Sequence, residues 1–389
     1  MSIPVIVAAK RTAIGKYGGM FKEIPPEILA AEVIRAILDE TSVGSGDVDD
    51  VILGNVVGPG GNIARLSALT AGLPVEVPGV TVDRQCGSGL EAINLAARLI
   101  QAGAGEIYLA GGVESTSRAP WKIEKPLSLY GREFPAIMGR ARFSPDFIGD
   151  PGMGKAANNV AGMYGITREQ QDIYALHSQR KAVDSIRRGR FQGEIMPITV
   201  TVDGEAKIID TDECPRPGTT LEKLAALPPA FDAEGTVTAG NACPVNDGAA
   251  IVLMMSLKKA RSLGLRPVMK FVDSTAAGVD PNYLGIGPVP AVNKLLAKSS
   301  LTVRDIDIVE FNEAFASQVL ASLQQLNIPE EVVNVGGGAI ALGHPYGASG
   351  AILVTRLYSE MRSLNAATGI TTLGIGGGMG LATLWEKVE

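Results

Sequence analysis

The chain has 389 residues, of which 46% are hydrophobic and 20% are charged, and this composition excludes a peptide and a mainly disordered protein. Its formal net charge of −6 argues against nucleic acid or an anionic membrane as a partner. Three cysteines are too few for a disulfide framework, so we expect free thiols in a reducing compartment, with the cytoplasm as the default. The short apolar segment from Ile3 to Ala9 predicts a first strand rather than a membrane span.

The sequence predicts an internal duplication, because four short segments recur in the same order at a nearly fixed offset. These pairs are Thr12-Ala13 and Thr275-Ala276, 47–51 and 305–309, Ser88-Gly89 and Ser349-Gly350, and Gly111-Gly112 and Gly376-Gly377. We therefore expect two similar layered α/β halves at 1–118 and 247–389, separated by an insertion at 119–246.

Each half has the pattern of a strand, a helix and a second strand. In the first half, 77–82 predicts a buried strand, Ser88 and Glu91 predict the capping box of a helix, Gly103 ends that helix, and 106–110 predicts the next strand. The second half repeats this pattern with strands at 332–335 and 370–373 and a helix opened by Ser349. The order favours a parallel sheet covered by helices.

The insertion is rich in proline and basic residues before a helix that Thr167 and Gln170 predict as a capping box. The helix carries a run of basic side chains at Arg180, Lys181, Arg187, Arg188 and Arg190. Most of them are interpreted as a solvated face, although a small anionic ligand stays open for one or two.

Cys86 is the first candidate for chemistry, since it lies between a predicted strand and a predicted helix and is followed by Gly87-Ser88-Gly89. The free N–H groups and positive end of a helix stabilise a thiolate, and the glycines allow a carbonyl to approach the backbone. An inert buried thiol is the alternative, and the local sequence leaves both open.

His344 is the better base of the two histidines in the sequence. By the duplication, His344 and Cys86 occupy corresponding ends of the two halves, so pseudo-two-fold packing would bring them together. His177, on the insertion helix, is interpreted as an ordinary partly exposed residue. Asn312 follows the predicted strand 308–311, where ligands often bind, and it is alternatively a helix N-cap.

Other motifs are weaker. The glycines at 336–338 fit a dinucleotide fingerprint, but Gly343 and Pro345 prevent the helix that should follow. Ser349 lies near a serine-hydrolase pattern with its last glycine displaced, and is a minor alternative. The cysteines and histidines lack metal-ligand spacing, so we expect no metal site.

Together these residues resemble the thiolases, the acyl-CoA C-acyltransferases. Four segments are similar to the active-site blocks of that family: Asp83-Arg84-Gln85-Cys86-Gly87, Asn312-Glu313-Ala314-Phe315-Ala316, Gly343-His344-Pro345-Tyr346-Gly347 and 374–380. Segments 240–248 and Met153-Gly154 also resemble its coenzyme A loop and substrate-pocket segment, so the resemblance covers essentially the whole chain.

The resemblance implies a duplicated five-layered αβαβα fold whose inserted loop domain covers coenzyme A, in a homodimer or homotetramer. It implies a ping-pong reaction on short-chain 3-ketoacyl-CoA without a tightly bound cofactor. Cys86 would form an acyl intermediate, His344 would activate it, and N–H groups of Cys86 and Gly376 would hold the oxyanion. His344 and a water on Asn312 would stabilise the enolate of the second acyl-CoA.

The resemblance also implies residues that bind coenzyme A, with Arg216 facing the adenine or phosphates. The remaining positions are Lys223, Phe231, Ala239 and Cys243. The partner is then a small-molecule acyl-CoA rather than nucleic acid or a membrane.

The chain departs from the family at Gly374, where thiolases carry a second catalytic cysteine, and this departure predicts impaired Claisen chemistry. Gly152 and Cys243 also replace the usual histidine and serine. Cys243 is assigned to the pantetheine contacts rather than to a substitute base. Hydrolysis of the acyl enzyme, decarboxylative condensation and a non-catalytic acyl-CoA binding protein stay open as alternatives.

Overall fold

The structure is a computed structural model that describes residues 2–126, 128, 130, 135–202 and 205–389. The first part of the chain forms β1 (Pro4–Arg11), β2 (Gly15–Lys16), α1 (Pro26–Thr41), β3 (Asp50–Gly54), α2 (Ile63–Ala71), β4 (Gly79–Val82), α3 (Ser88–Ala102) and β5 (Ile107–Ser115). The insertion forms β6 (Lys122–Ile123), β7 (Ile137–Met138), α4 (Met153–Tyr164), α5 (Arg168–Arg187), β8 (Ile198–Val202), β9 (Glu205–Ile209) and α6 (Leu221–Ala225).

The last part of the chain adds β10 to the strands of the first half and forms the strands of the second half. It forms β10 (Asn246–Ser256), α7 (Leu257–Ser262), β11 (Met269–Gly278), α8 (Pro288–Ser299), β12 (Ile308–Phe311), α9 (Ala316–Leu326), α10 (Ala339–Leu342), α11 (Tyr346–Leu364), β13 (Thr368–Ile375) and β14 (Met379–Lys387). Short 3-10 helices at Ser45–Asp47, Pro281–Ile286, Val303–Asp305 and Glu330–Val332 connect these elements.

The two halves repeat one strand order, as the sequence repeats predict. The first half has the order β4-β3-β5-β10-β1, and the second has β12-β13-β14-β11. Val333 forms a parallel bridge with Val309 of β12. It lies beside β12 in the second half, as β4 lies beside β3 in the first half. Strands β1 and β11 pair antiparallel, so the two sheets join along this edge.

Helices α3 and α11 form the central layer. They pack on each other, and α11 also contacts β5 and β10 of the first half and β12 and β13 of the second. Helix α1 contacts β1, β5 and β10, whereas α8 contacts β11 and β14, so each sheet also carries an outer helix. This arrangement gives the αβαβα layering, and α11 is buried along most of its length because it lies between the sheets.

The sheets are mixed, whereas the sequence favoured parallel ones. Parallel pairing is found for β3 with β4, β3 with β5, and β12 with β13. The other neighbours along the main strand order pair antiparallel. Between β13 and β14 the reason is local, because a short turn at 376–378 joins them and such a turn connects antiparallel strands.

Strand β10 belongs to the first half. It pairs with β1 on one side and with β5 on the other, although it begins at Asn246. We therefore place the division between the halves after β10, instead of at 246/247 where the sequence repeats put it. The first sheet therefore includes a strand that follows the insertion in the chain. The short repeated segments do not show to which sheet this strand belongs.

Two local predictions in the first half are wrong. The segment 77–82, predicted as a buried strand, contains β4, which lies at the edge of the sheet. Val80 of this strand is 43% exposed. Ser88 is the first residue of α3 and forms no cap: the N-cap is Gly87, without a side-chain hydrogen bond. The Ser88 hydroxyl is instead used by the preceding turn. Gly103 does end the helix, in the left-handed conformation with φ 73°.

Two predictions in the second half also fail. Ser349 does not open α11, which begins three residues earlier at Tyr346. The segment 332–335 forms only the isolated bridge at Val333, because the 3-10 helix Glu330–Val332 occupies its beginning. Strands β12 and β13 do form where the sequence predicts them.

The insertion packs α4, α5 and α6 beside the second half. The capping box of Thr167 and Gln170 at the start of α5 is confirmed. The basic run is only partly solvated, because Lys181 Nζ of α5 donates to Val333 O at 2.9 Å and Arg190, just beyond the end of α5, pairs with the buried Glu360. In the part of the chain that the structure describes, no helix is long and apolar enough to cross a membrane.

Candidate active site

A fixed turn places Cys86 at the amino end of α3. The Ser88 hydroxyl accepts a hydrogen bond from the Arg84 backbone N–H at 2.8 Å and donates to Gln85 O at 2.6 Å. Gln85 adopts φ 48°, a left-handed conformation that is uncommon for a residue with a side chain. This turn delivers the sulfur of Cys86 to the first turn of the helix, beside the backbone N–H of Gly376.

The Cys86 sulfur rests as a thiol. Burial raises its pKa to about 11, while the hydrogen bond from the Gly376 N–H acts in the opposite direction. The residue keeps 9% exposure, at the boundary between the core and the surface. Because the thiolate is the nucleophilic form, Cys86 needs a proton acceptor nearby to attack a carbonyl.

His344 is a neutral imidazole with one nitrogen held by a serine. Its Nδ1 lies 2.6 Å from Ser349 Oγ, and Ser349 Oγ lies 2.9 Å from Pro345 O. This network is satisfied when Ser349 donates to Pro345 O and accepts from Nδ1–H, which leaves Nε2 as a free acceptor. Burial lowers the pKa of His344 to about 4, so the ring is uncharged at neutral pH and can accept a proton.

The duplication gives Cys86 and His344 equivalent positions, each before a central helix whose amino end touches that of the other. Each precedes the first residue of a central helix by two positions, Cys86 before α3 and His344 before α11. The amino ends of these helices touch: a β-carbon on Gly89 would lie 2.7 Å from Gly347 O, and one on Gly350 would collide with the backbone of Leu90. Glycine is needed here because two backbones meet without room for a side chain.

Two buried acceptors hold the loop that carries His344. The His344 backbone N–H donates to Asn246 Oδ1 at 2.8 Å, and the Gly347 N–H donates to Glu114 Oε2 at 3.0 Å. Glu114 also accepts from the backbone N–H groups of Val56 and Val57. Burial raises the pKa of Glu114 to about 7, and these bonds favour its ionised form.

Asn312 contacts the second nitrogen of the histidine. Its Nδ2 lies 3.4 Å from His344 Nε2, and its backbone N–H donates to Thr372 O at 3.0 Å. The alternative interpretation of Asn312 as an N-cap is wrong, because α9 begins at Ala316 with Phe315 as its N-cap. The amide side chain is therefore available to the site.

Strand β13 supplies Gly374, and the turn between β13 and β14 supplies Gly376. Gly376 directs its N–H to the Cys86 sulfur. Gly374 lies two residues earlier in β13, and a β-carbon there would be 3.1 Å from Gln318 Nε2 and 3.3 Å from Gly285 O. A small side chain would fit at Gly374 after these neighbours shifted by a few tenths of an ångström.

A second thiol, Cys243, lies in the segment 240–248 that the sequence assigned to coenzyme A, and the backbone of this segment contacts those of the Asn312 and His344 segments. The Cys243 backbone N–H donates to Ala314 O at 3.0 Å, and its neighbours form bridges, Ala242 with Phe315 and Val245 with His344. Burial raises the pKa of Cys243 above its ordinary value, and the Cys86 thiolate raises it further. The resemblance to thiolases places Cys243 in the coenzyme A segment, whereas its contact with the segments of Asn312 and His344 is visible only in the fold.

The other residues assigned to coenzyme A lie farther out on the insertion. Phe231 packs edge-on against Phe315 with ring centroids 6.1 Å apart, and a side chain at Gly154 would collide with the Phe231 ring. Lys223 Nζ donates to Gly218 O at 2.7 Å, and Ala239 is exposed. Phe231 thus contacts the segment that carries Asn312 through Phe315.

Arg216 lines a separate cavity of about 240 Å³. Its backbone N–H donates to Gln179 Oε1 at 2.7 Å, and Arg180 and Arg187 of α5 line the same cavity. Two of the basic residues that the sequence left open for an anionic ligand are therefore next to Arg216.

The weaker motifs are resolved by the fold. Ser349 contacts His344, but its hydroxyl is buried and also bonded to Pro345 O, so it holds the ring rather than facing solvent. The glycines at 336–338 precede only the four-residue α10. His177 is partly exposed and contacts Glu330. Within the described ranges, no group of three or more His, Cys, Asp or Glu side chains could hold a metal ion.

Comparison with known proteins agrees with this geometry. Residues 4–258 match the family described as Thiolase, N-terminal domain, and residues 265–387 match Thiolase, C-terminal domain. A protein of Staphylococcus epidermidis, provisionally named acetyl-CoA C-acetyltransferase VraB, is 51% identical over 387 residues, covering 100% of this chain and 99% of that protein. Its namesake in Staphylococcus aureus is 48% identical and is covered in full.

A solved structure has the same fold. The crystal structure of the Bacillus anthracis acetyl-CoA acetyltransferase superposes with a TM-score of 0.94 at 40% sequence identity, covering 100% of this chain and 99% of that one. With both halves matched and these relatives similar over their whole length, the chain belongs to the thiolase family of acyltransferase enzymes.

Proposed function

We propose that this protein transfers acyl groups between coenzyme A thioesters by a ping-pong reaction through an acyl-Cys86 intermediate, cleaving or forming short-chain 3-ketoacyl-CoA. The observation that carries the proposal is the convergence of the amino ends of α3 and α11, with a thiol before one and a neutral imidazole before the other. The names of the relatives, which refer to acetyl-CoA, supply the substrate class.

In the first half-reaction His344 Nε2 takes the proton of the Cys86 thiol, and the thiolate attacks the carbonyl carbon of the acyl-CoA. The carbonyl electron pair moves to oxygen, where the backbone N–H groups of Cys86 and Gly376 are the donors that can stabilise it. Collapse of this intermediate expels the coenzyme A thiolate, which takes up a proton from solvent and leaves as the thiol, while His344 keeps the proton from Cys86. The product is a thioester on Cys86.

In the second half-reaction His344 carries the proton taken from Cys86, and another acyl-CoA binds with its carbonyl oxygen accepting hydrogen bonds from His344 Nε2–H and Asn312 Nδ2. These two groups are 3.4 Å apart, so one oxygen can contact both. Loss of a proton from the α-carbon gives an enolate, which attacks the acyl-Cys86 carbonyl and releases the Cys86 thiolate. The reverse sequence cleaves a 3-ketoacyl-CoA.

The coenzyme A moiety is proposed to lie along the insertion, past Phe231, Ala239 and Cys243, toward Lys223 and Arg216. Two aromatic rings at Phe231 and Phe315 offer an apolar wall, and the arginine-lined cavity offers charge for a phosphate. Coenzyme A is then a substrate rather than a bound cofactor. We also propose a homodimer or homotetramer in the cytoplasm, which light scattering of the purified protein and cell fractionation would test.

Intact mass spectrometry tests the intermediate. The protein is incubated with acetyl-CoA or acetoacetyl-CoA, and we expect an acetyl adduct that a Cys86→Ala variant does not form. Cys214→Ser is the matched control, because Cys214 is the remaining free thiol and its hydroxyl replacement can still accept from Asn246 Nδ2. The absence of an adduct with every short acyl-CoA tried would contradict an acylated enzyme and favour a binding protein.

The alternatives on the same scaffold predict different products. An acyl-CoA hydrolase would release free acid from acyl-Cys86 without a second acyl-CoA. A decarboxylative condensing enzyme would form product from malonyl-CoA but not from acetyl-CoA alone. Chromatography of the products from acetyl-CoA with and without malonyl-CoA separates both reactions from thiolase chemistry.

A further inference from the structure

We infer that Cys243 is the group that moves the proton at the α-carbon of the second acyl-CoA, in place of the side chain that is missing at Gly374. This inference rests on the proposed acyl-Cys86 reaction and adds a catalytic residue to it. It changes the assignment of Cys243 from a passive contact with coenzyme A to a reacting thiol.

The proposed reaction needs a proton-transfer group other than Cys86 and His344. In the condensing direction a C–H bond of the bound acyl-CoA breaks, its proton goes to a base, and its electron pair forms the enolate. Cys86 cannot be that base, since its sulfur carries the acyl group. His344 Nε2 faces Asn312 and is assigned to the enolate oxygen, so it does not reach the α-carbon at the same time.

Other titratable groups around the site are occupied. Glu114 accepts hydrogen bonds from Asn55 Nδ2 and three backbone N–H groups, and Glu313 accepts from Tyr174, Ser178, Asn334 and the Ile340 N–H. Gly374 has no side chain, and its neighbour Gln318 does not titrate. Among the described residues near Cys86 and His344, this leaves Cys243 and Tyr346 as candidates for the proton-transfer group.

The backbone holds Cys243 against the segment that carries Asn312. Its N–H is bonded to Ala314 O, and the bridges on either side tie it to Phe315 and His344. Position 374 contacts the same segment from another side, through Gln318, whose Nε2 lies 3.4 Å from Asn312 O. Cys243 and position 374 therefore both border the segment from Asn312 to Gln318.

The charge coupling between the thiols fits the order of the steps. In the free enzyme, burial raises the pKa of Cys243 and a Cys86 thiolate adds to this effect. Acylation removes the Cys86 charge, so the Cys243 thiolate becomes easier to form in the acyl enzyme, when a base is required. The thiolate then takes the α-proton and becomes the thiol.

The cleavage direction balances in the same way. Cys86 thiolate attacks the 3-keto carbon, the bond between C2 and C3 breaks, and its electron pair is protonated at C2 by the Cys243 S–H. Acetyl-CoA leaves, and Cys243 is now a thiolate. It takes the proton from the incoming coenzyme A thiol, whose sulfur attacks acyl-Cys86 and restores both cysteines.

The test compares two steps in one set of variants. Acylation of Cys86 by acetyl-CoA, followed by intact mass, requires no proton transfer at carbon, whereas exchange of the acetyl protons into deuterium oxide, followed by mass or NMR, requires it. Cys243→Ser should slow exchange and acetoacetyl-CoA thiolysis by ~10²-fold or more, the usual size of general acid–base assistance, and slow acylation at least tenfold less. Cys214→Ser is the control thiol and should retain all three rates.

A second-site variant tests whether the loss of exchange in Cys243→Ser is caused by misfolding. Gly374→Cys in the Cys243→Ser background should restore exchange, because it returns a thiol beside the Asn312 segment. Equal exchange rates in wild type and Cys243→Ser would overturn the inference, as would a loss of exchange in Tyr346→Phe that Cys243→Ser does not share. If wild type forms no adduct at all, the proposed function itself fails, and this outcome is distinct from normal acylation with unaffected exchange.

Discussion

Adding a single methyl group at Gly89 should separate the two halves of the site. In Gly89→Ala the new β-carbon would lie 2.7 Å from Gly347 O and 3.0 Å from Ala351 N, whereas ordinary contact begins at 3.4 Å. Both neighbours are backbone atoms of the His344 loop and α11, so they cannot rotate away as a side chain would. Overpacking of this kind costs ~1–3 kcal/mol, and a displacement of ~1 Å between reacting groups can cost ~10²-fold in rate.

The expected result is a lower melting temperature together with a slower acylation of Cys86, measured by thermal unfolding and intact mass. Gly162→Ala is the matched control, because Gly162 lies in α4 with open space around its missing β-carbon. There alanine should stabilise the helix by ~0.5–1 kcal/mol and leave acylation unchanged. A Gly89→Ala protein as stable and as rapidly acylated as its parent would refute the close approach of the two helix ends.

The reactivity and stability of the site should depend on pH with definite signs. Because the pKa of Cys86 is raised to about 11, its alkylation by iodoacetamide should rise roughly tenfold per pH unit from neutral to about pH 10, and a plateau below pH 8 would indicate a thiolate–imidazolium pair instead. The pKa of His344 is lowered to about 4 by burial, so its contribution to stability is full above its unfolded value near 6.5 and is lost as pH falls toward 4. This contribution is ~3 kcal/mol, and His344→Asn should flatten denaturation curves between these pH values. Arg216→Ala should raise the KM for coenzyme A about tenfold while kcat changes little, whereas Arg188→Ala, which removes an exposed pair with Asp184, should leave KM as it is; equal effects would place the phosphates elsewhere.

The sequence predicted the duplicated fold because it depends on patterns that survive in short segments, and the pairing of Cys86 with His344 is a prediction that follows from it. Repeated glycines mark where backbones touch, and equal positions before two equivalent helices become neighbours once the halves pack around a common centre. The failures are local: Ser88 and Ser349 have the composition of helix caps, yet their hydroxyls bond to the Gln85 turn and to His344. A propensity cannot show which of several nearby polar groups a hydroxyl will contact.

The contact of the Cys243 segment with the segments of Asn312 and His344 was not predictable, for a different reason. Its neighbours across the bridges, Phe315 and His344, are about 70 to 100 residues later in the chain, so their contact exists only after the second half folds onto the insertion. The absence of a cysteine at 374 and the presence of one at 243 are two unrelated departures along the sequence. In the structure both positions border the segment from Asn312 to Gln318.

The duplicated fold also explains why one site can stabilise a series of anions. The thiolate of Cys86, the oxyanion on the attacked carbonyl and the enolate all carry negative charge, and each would form where the amino ends of α3 and α11 converge. A helix end favours an anion by ~0.3–1 kcal/mol at a surface and up to ~2 kcal/mol when partly buried. Two such ends act here in addition to the donors of Gly376 and Asn312, and neither requires a basic side chain. The histidine can therefore rest neutral as a proton acceptor, while the backbone of both halves provides the positive potential.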